Sequence, residues 1–159
     1  MCDPGAVSAP VTPPPPPAPR LLRLVAGGTG AHDVAHLHDA LAEILHGRSA
    51  EPGPTAVRGV REREGAAESP RPLLVPIGPR EDPAVVRADL AGRLDGVPER
   101  ADIILRTSGS ATGTARLVAM SAAALVASAR ATHERLGGPG TWVLALPAHH
   151  VAGLQVLVR

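Results

Sequence analysis

Ile103-Ile104-Leu105-Arg106-Thr107-Ser108-Gly109-Ser110-Ala111-Thr112-Gly113-Thr114-Ala115-Arg116-Leu117-Val118-Ala119-Met120 places a polar, glycine-bearing loop between two apolar runs. Its first four residues form an apolar run too short for a helix and suited to a buried strand. A polar loop rich in Ser, Thr and Gly follows, and residues 117–120 give a second strand. Ser121 then opens a helix that continues to Leu136 and stops at Gly137, pairing a hydroxyl N-cap with a glycine C-cap.

Working outward, residues 21–26 predict a short buried strand, Gly27 to Gly30 a turn, and Asp33 the N-cap of a helix. Val34, Leu37, Leu41, Ile44 and Leu45 share one face of that helix, and Gly47 closes it. Residues 73–77 give another apolar strand. Asp82 followed by Pro83 marks a second helix start, with Val86, Leu90 and Leu94 continuing one apolar face. Residues 142–146 predict one more strand, and 151–158 an apolar, helical end with no closing cap, as in a chain truncated within a domain. Strands alternating with helices argue for an α/β layered architecture, with a parallel sheet favoured over a meander.

Two segments stand outside this pattern. Residues 1–20 form a Pro-rich tail with an unbroken run from Pro13 to Pro17, which favours extended polyproline conformations and is expected to be disordered. Residues 48–71 are rich in Gly, Pro, Glu and Arg with neither helical nor strand period, which predicts an exposed loop. The domain proper is therefore expected over 21–159.

Composition removes several classes of function. The 159 residues carry a formal charge of +1, one Trp and no Phe or Tyr, so the stacking platforms of single-stranded nucleic acid binders are missing. Nucleic acid is not an expected partner. All 16 basic residues are Arg, which rules out a Walker loop and its obligatory Lys. The single Cys2 allows no internal disulfide. With no signal-like N-terminus and no apolar run long enough to span a bilayer, a soluble cytoplasmic protein is expected.

The loop over 107–116 can surround an anion. Glycines let backbone amides approach phosphate oxygens, hydroxyls add donors without bulk, and Arg116 offsets negative charge. Other loop chemistries fail on spacing: three residues separate Gly109 from Gly113 where a Walker loop has four, and Ala111 stands where a G-x-S-x-G elbow needs its serine. A flexible linker has a similar composition, but this run lies between two strands. Gly27, Gly28 and Gly30 also suggest a dinucleotide loop, which is left incomplete at Asp33.

The run Thr107-Ser108-Gly109-Ser110-Ala111-Thr112-Gly113-Thr114-Ala115-Arg116 resembles the first signature, T-S-G-[ST]-T-G-x-P-K, of the AMP-forming acyl-CoA synthetase and adenylation-domain superfamily. Downstream, Leu146-Pro147-Ala148-His149-His150-Val151-Ala152-Gly153 stands where that family carries its Pro-x-x-His-x-x-Gly segment. The text from Ala123 to Arg159 is most similar to the o-succinylbenzoate-CoA ligases of menaquinone biosynthesis. Three departures are plain: Ala111 is inserted, Ala115 replaces Pro, and Arg116 replaces Lys, keeping the charge but changing its geometry.

This resemblance implies an incomplete N-terminal subdomain of the acyl-adenylate-forming, AMP-binding fold. It implies a carboxylic acid, ATP with magnesium, and CoA as reactants, with Thr107, Ser108, Gly109, Ser110, Thr112, Gly113 and Arg116 binding the nucleotide. His150 would lie where the acyl group meets the adenylate, and a one-residue shift of alignment would give that place to His149. No metal site is expected. His32, His36, His38 and His46 fall on or beside the first helix away from its apolar face, as solvated side chains do. The enzyme reading competes with a non-catalytic nucleotide-binding or partner-binding remnant of the same family.

Overall fold

A computed structural model describes residues 20–49, 72–107 and 116–159. The Pro-rich run and nearly all of the expected 48–71 loop lie outside these residues. The elements are β1 (Leu22–Ala26), α1 (Ala31–Ser49), β2 (Leu73–Ile77), α2 (Pro83–Ala91), β3 (Ile103–Arg106), β4 (Leu117–Met120), α3 (Ala122–Leu136) and α4 (Val151–Val158).

The strands form one sheet in the order β1-β2-β3-β4. β1, β2 and β3 run parallel, with Leu22 opposite Leu73 and Leu74 opposite Ile103. β4 returns antiparallel to β3, pairing Ile103 with Met120 and Arg106 with Leu117. The fold is thus α/β as expected, but its sheet is mixed. A short loop between β3 and β4 permits only a hairpin, because a parallel return needs a crossover of a dozen or more residues.

Alternation along the strands assigns the two faces. Leu74, Ile103 and Leu105 pack with Leu37, Ala40 and Leu41 of α1, Leu125 of α3 and Leu154 of α4. Leu73, Val75, Ile77 and Ile104 face the other way, against Val86 and Leu90 of α2. All five residues of β2 are buried, as befits a central strand covered on both sides. α1 and α2 thus lie on opposite faces of the sheet.

Pro76 sits within the central β2, where a missing N–H is normally costly. Leu73 donates to Leu21 on the β1 side at 2.7 Å and Leu74 donates to Asp102 on the β3 side at 2.9 Å. Pro76 shares the parity of Leu74, so its missing donor faces β3, where the ladder is already down to the single pair Leu74–Ile103.

Helix ends follow local chemistry in two cases. Asp82 caps α2 through Ala84 N–H at 2.7 Å, with Pro83 in the first turn. Ser121 caps α3 through Ala124 N–H at 3.2 Å, and Gly137 ends it at φ 83°. The buried Asp102 carboxylate also accepts the Ala122 N–H at 2.8 Å, tying the start of β3 to the start of α3.

Three sequence expectations require correction. Asp33 is not an N-cap: α1 begins at Ala31, so Asp33 lies in its first turn, where a carboxylate complements the helix dipole. Gly47 does not close α1, which continues to Ser49. Residues 142–146 do not form a strand. Their backbone joins no ladder among the described residues, and Ala145 N–H instead bonds Val143 C=O at 3.1 Å. Leu144 packs on the α1 face of the sheet while Trp142 lies 4.6 Å beneath the Arg159 guanidinium, so side-chain contacts hold this segment.

Candidate functional site

Three parallel strands deliver their carboxyl ends to one edge of the sheet. β1 ends at the Gly27-Gly28 turn, β2 at Gly78 and β3 at Thr107, while the antiparallel β4 starts from Arg116 at the same edge. In open α/β sheets ligands bind in the crevice outside these ends.

Thr107 and Arg116 close the hairpin. Thr107 N–H donates to Arg116 C=O at 2.9 Å, and Arg116 N–H donates to the Thr107 hydroxyl at 3.2 Å. The hydroxyl proton in turn points to the Arg116 carbonyl at 3.4 Å. Thr107 therefore uses its side chain to pin the mouth of the loop. Arg116 is held by its main chain and leaves its guanidinium exposed. Ser108, Gly109, Ser110, Thr112 and Gly113 lie outside the described residues, so only the two ends of the candidate cradle are placed.

The histidine segment docks at the same edge. Pro147 C=O accepts the His150 N–H at 3.1 Å to form a tight turn, and Ala148 N–H donates to Gly28 C=O at 3.0 Å. His149 N–H donates to Gly27 C=O at 3.2 Å, and its ring Nδ1 contacts the same oxygen. Ala148 is fully buried, His149 half-buried and His150 exposed. The turn thus points one histidine inward and the next outward.

Glu81 was not visible as a site residue in the sequence. Its carboxylate accepts Gly78 N–H at 2.7 Å and pairs with the Arg106 guanidinium at 2.9 Å, joining the end of β2 to the end of β3. Arg106 also stands 4.0 Å from Asp89, which is paired with Arg93 at 2.9 Å. Two Arg106 nitrogens, Nε and Nη1, are shielded from solvent without a hydrogen-bond partner among the described residues. The available signal was Arg106 itself, a charge ending an apolar strand directly before the loop.

Partial desolvation pushes the imidazole of the otherwise exposed His150 below the ordinary histidine value; His149 pushes the same way and Glu81 opposes them. The folded state therefore takes up this proton less readily than the unfolded chain. Its contribution to stability is intact above the ordinary histidine range and is lost as the pH falls through and below it. An NMR titration of the His150 ring is expected to give a midpoint below 6.5, and a higher value would show that Glu81 dominates.

His32, His36, His38 and His46 are exposed on α1, and the rings of His32 and His36 meet edge-on at 4.1 Å. Among the described residues no group of three or more His, Cys, Asp or Glu is placed to hold a metal ion. No helix among them is long and apolar enough to cross a membrane. Gly27 serves close packing rather than a completed dinucleotide loop: a Cβ there would fall 2.8 Å from Leu37 Cδ2 and 2.9 Å from His149 N.

Similarity to curated sequences covers part of the chain. It is 45% identical over 86 residues to the probable 2-succinylbenzoate–CoA ligases of Mycobacterium tuberculosis strains CDC 1551/Oshkosh and H37Rv. The match covers 49% of this chain and 22% of each relative, so the chain spans well under half the length of the curated proteins it matches. No family model matches the sequence, and no solved structure matches it.

Proposed function

We infer that this chain is part of a protein of the adenylate-forming family, one that uses ATP to activate a carboxylic acid and then transfers the acyl group to CoA. The observation that carries this reading is that a hairpin closed by Thr107 and Arg116 and the turn that presents His150 lie at the same edge of the sheet, the one reached by the carboxyl ends of β1, β2 and β3. The similarity to probable 2-succinylbenzoate–CoA ligases makes o-succinylbenzoate the proposed acid, and menaquinone biosynthesis the proposed setting.

In the first step a carboxylate oxygen attacks the α-phosphorus of ATP, forming the acyl-adenylate and releasing pyrophosphate. In the second, the CoA sulfur attacks the acyl carbon and AMP leaves. The chain's part is to orient the reactants and to neutralise phosphate charge. The loop amides and hydroxyls of Ser108, Gly109, Ser110, Thr112 and Gly113 would hold phosphate oxygens, with Thr107 fixing the mouth of the loop. Arg116 would supply the balancing charge. Exposed on its turn, His150 would hydrogen-bond near the junction of acyl group and adenylate. Magnesium would enter as the counter-ion of ATP.

A protein carrying this segment at the length of its relatives is expected to form o-succinylbenzoyl-CoA from the acid, ATP and CoA. These 159 residues alone are expected not to turn over. Thioester formation by the isolated chain would contradict that division of labour. The departures of the loop at Ala111, Ala115 and Arg116 from the family signature favour one second reading, a nucleotide-binding or partner-binding remnant without catalysis. Tight ATP binding by the isolated chain, abolished by Gly109→Val, together with no thioester formation by the longer protein, would support it.

A further inference from the structure

His149 and His150 are adjacent in sequence but have different surroundings. The His149 ring meets the Gly27 carbonyl through Nδ1, and its own backbone N–H reaches the same oxygen at 3.2 Å. One residue earlier, Ala148 N–H bonds Gly28 C=O at 3.0 Å. A carbonyl oxygen has two lone pairs and no proton to give, so a ring nitrogen bonded to it must carry the hydrogen. The close approach is possible because Gly27 has no side chain. The His149 ring then stands 4.2 Å from that of His150, tilted by 45°, and forms a wall against it.

We propose that His149 is a positioning residue, locked as the Nδ1–H tautomer by the Gly27 carbonyl, and that this lock fixes the direction in which the turn presents His150. The lock stands on local geometry alone. Its importance for catalysis rests on the role proposed above for His150, which touches the reacting atoms while His149 acts only through it.

Tautomer and geometry can be read without any substrate. Long-range proton–nitrogen NMR on the uniformly labelled 159-residue chain, at a pH where the rings are neutral, is expected to show His149 protonated at Nδ1 and bare at Nε2. Protonation at Nε2, or rapid averaging between the two forms, would overturn the proposal. Two substitutions probe the direction of the lock. His149→Asn places an amide N–H where Nδ1 was and is expected to leave the His150 resonances close to their original positions. His149→Gln carries its amide out to the place of Nε2 and is expected to displace them. Equal displacement by both would overturn the proposal.

In the longer protein, His149→Gln is expected to lower kcat about tenfold with the KM for ATP unchanged, and His149→Asn to restore most of the rate. A uniform rise in KM with kcat preserved would count against a positioning role. If the unsubstituted protein makes no thioester, the functional reading fails while the NMR result stands.

Discussion

Replacing Arg116 by alanine is expected to weaken ATP binding by about ten- to a hundredfold in a protein that carries this segment at the length of its relatives. A charge-assisted hydrogen bond to phosphate contributes about 1.5–3 kcal/mol, and each 1.4 kcal/mol is about a factor of ten in affinity. The guanidinium is exposed at the mouth of the loop, while the backbone of Arg116 is pinned to Thr107 by bonds at 2.9 and 3.2 Å. Those are main-chain donors and acceptors that alanine retains, so the hairpin should survive and the loss should be one of charge. Arg116→Lys should recover part of the affinity, keeping the cation without the planar fork. Arg130, exposed on α3, provides the comparison: Arg130→Ala should leave titration calorimetry with ATP unchanged. Equal losses in both variants would show that net charge, not position, governs binding.

Gly153→Ala is expected to destabilise the fold by about 3 kcal/mol, at the upper end of the usual cost of overpacking. A Cβ at this position would fall 2.3 Å from Pro147 O and 2.7 Å from both Leu146 O and Pro147 C. All three are backbone atoms, so no side-chain rotation relieves the clash. The turn from Pro147 to His150 must move away from α4, taking with it the Ala148 and His149 bonds to the β1 turn. Gly47→Ala makes the contrast. No described residue lies within 4 Å of its added Cβ, and in a helical position the change should stabilise by about 0.5–1 kcal/mol. Urea denaturation of both variants measures the difference; a mild effect of Gly153→Ala would mean that the turn is not packed as described.

The Gly153 geometry also explains part of what the sequence disclosed. His-x-x-Gly was legible as a family-like spacing, but the reason for its glycine, the backbone of Pro147 beneath it, is a tertiary contact. Asp82-Pro83 and the Ser121 and Gly137 ends of α3 were legible because capping chemistry is local. Asp33 misled for the same reason: a carboxylate suits both the N-cap and the first turn, and composition does not choose between them. The apolar run from Trp142 to Leu146 indicated burial, which Leu144 achieves, but an apolar run does not say whether its backbone has a ladder partner. Glu81 was invisible because its meaning comes from Arg106 on another strand. The family spacing put His150 at the family's histidine position, with His149 one residue away. The turn separates them by giving one ring to the Gly27 carbonyl and leaving the other exposed.

Carboxylate-dependent exchange of labelled pyrophosphate into ATP reports adenylate formation without requiring CoA. With a protein carrying this segment at the length of its relatives, label should enter ATP when o-succinylbenzoate is present, should fail to do so without an acid, and should fall sharply in Arg116→Ala. A folded protein showing no exchange with o-succinylbenzoate or with a panel of aryl and acyl acids would contradict the assignment of this sheet edge to acyl-adenylate chemistry.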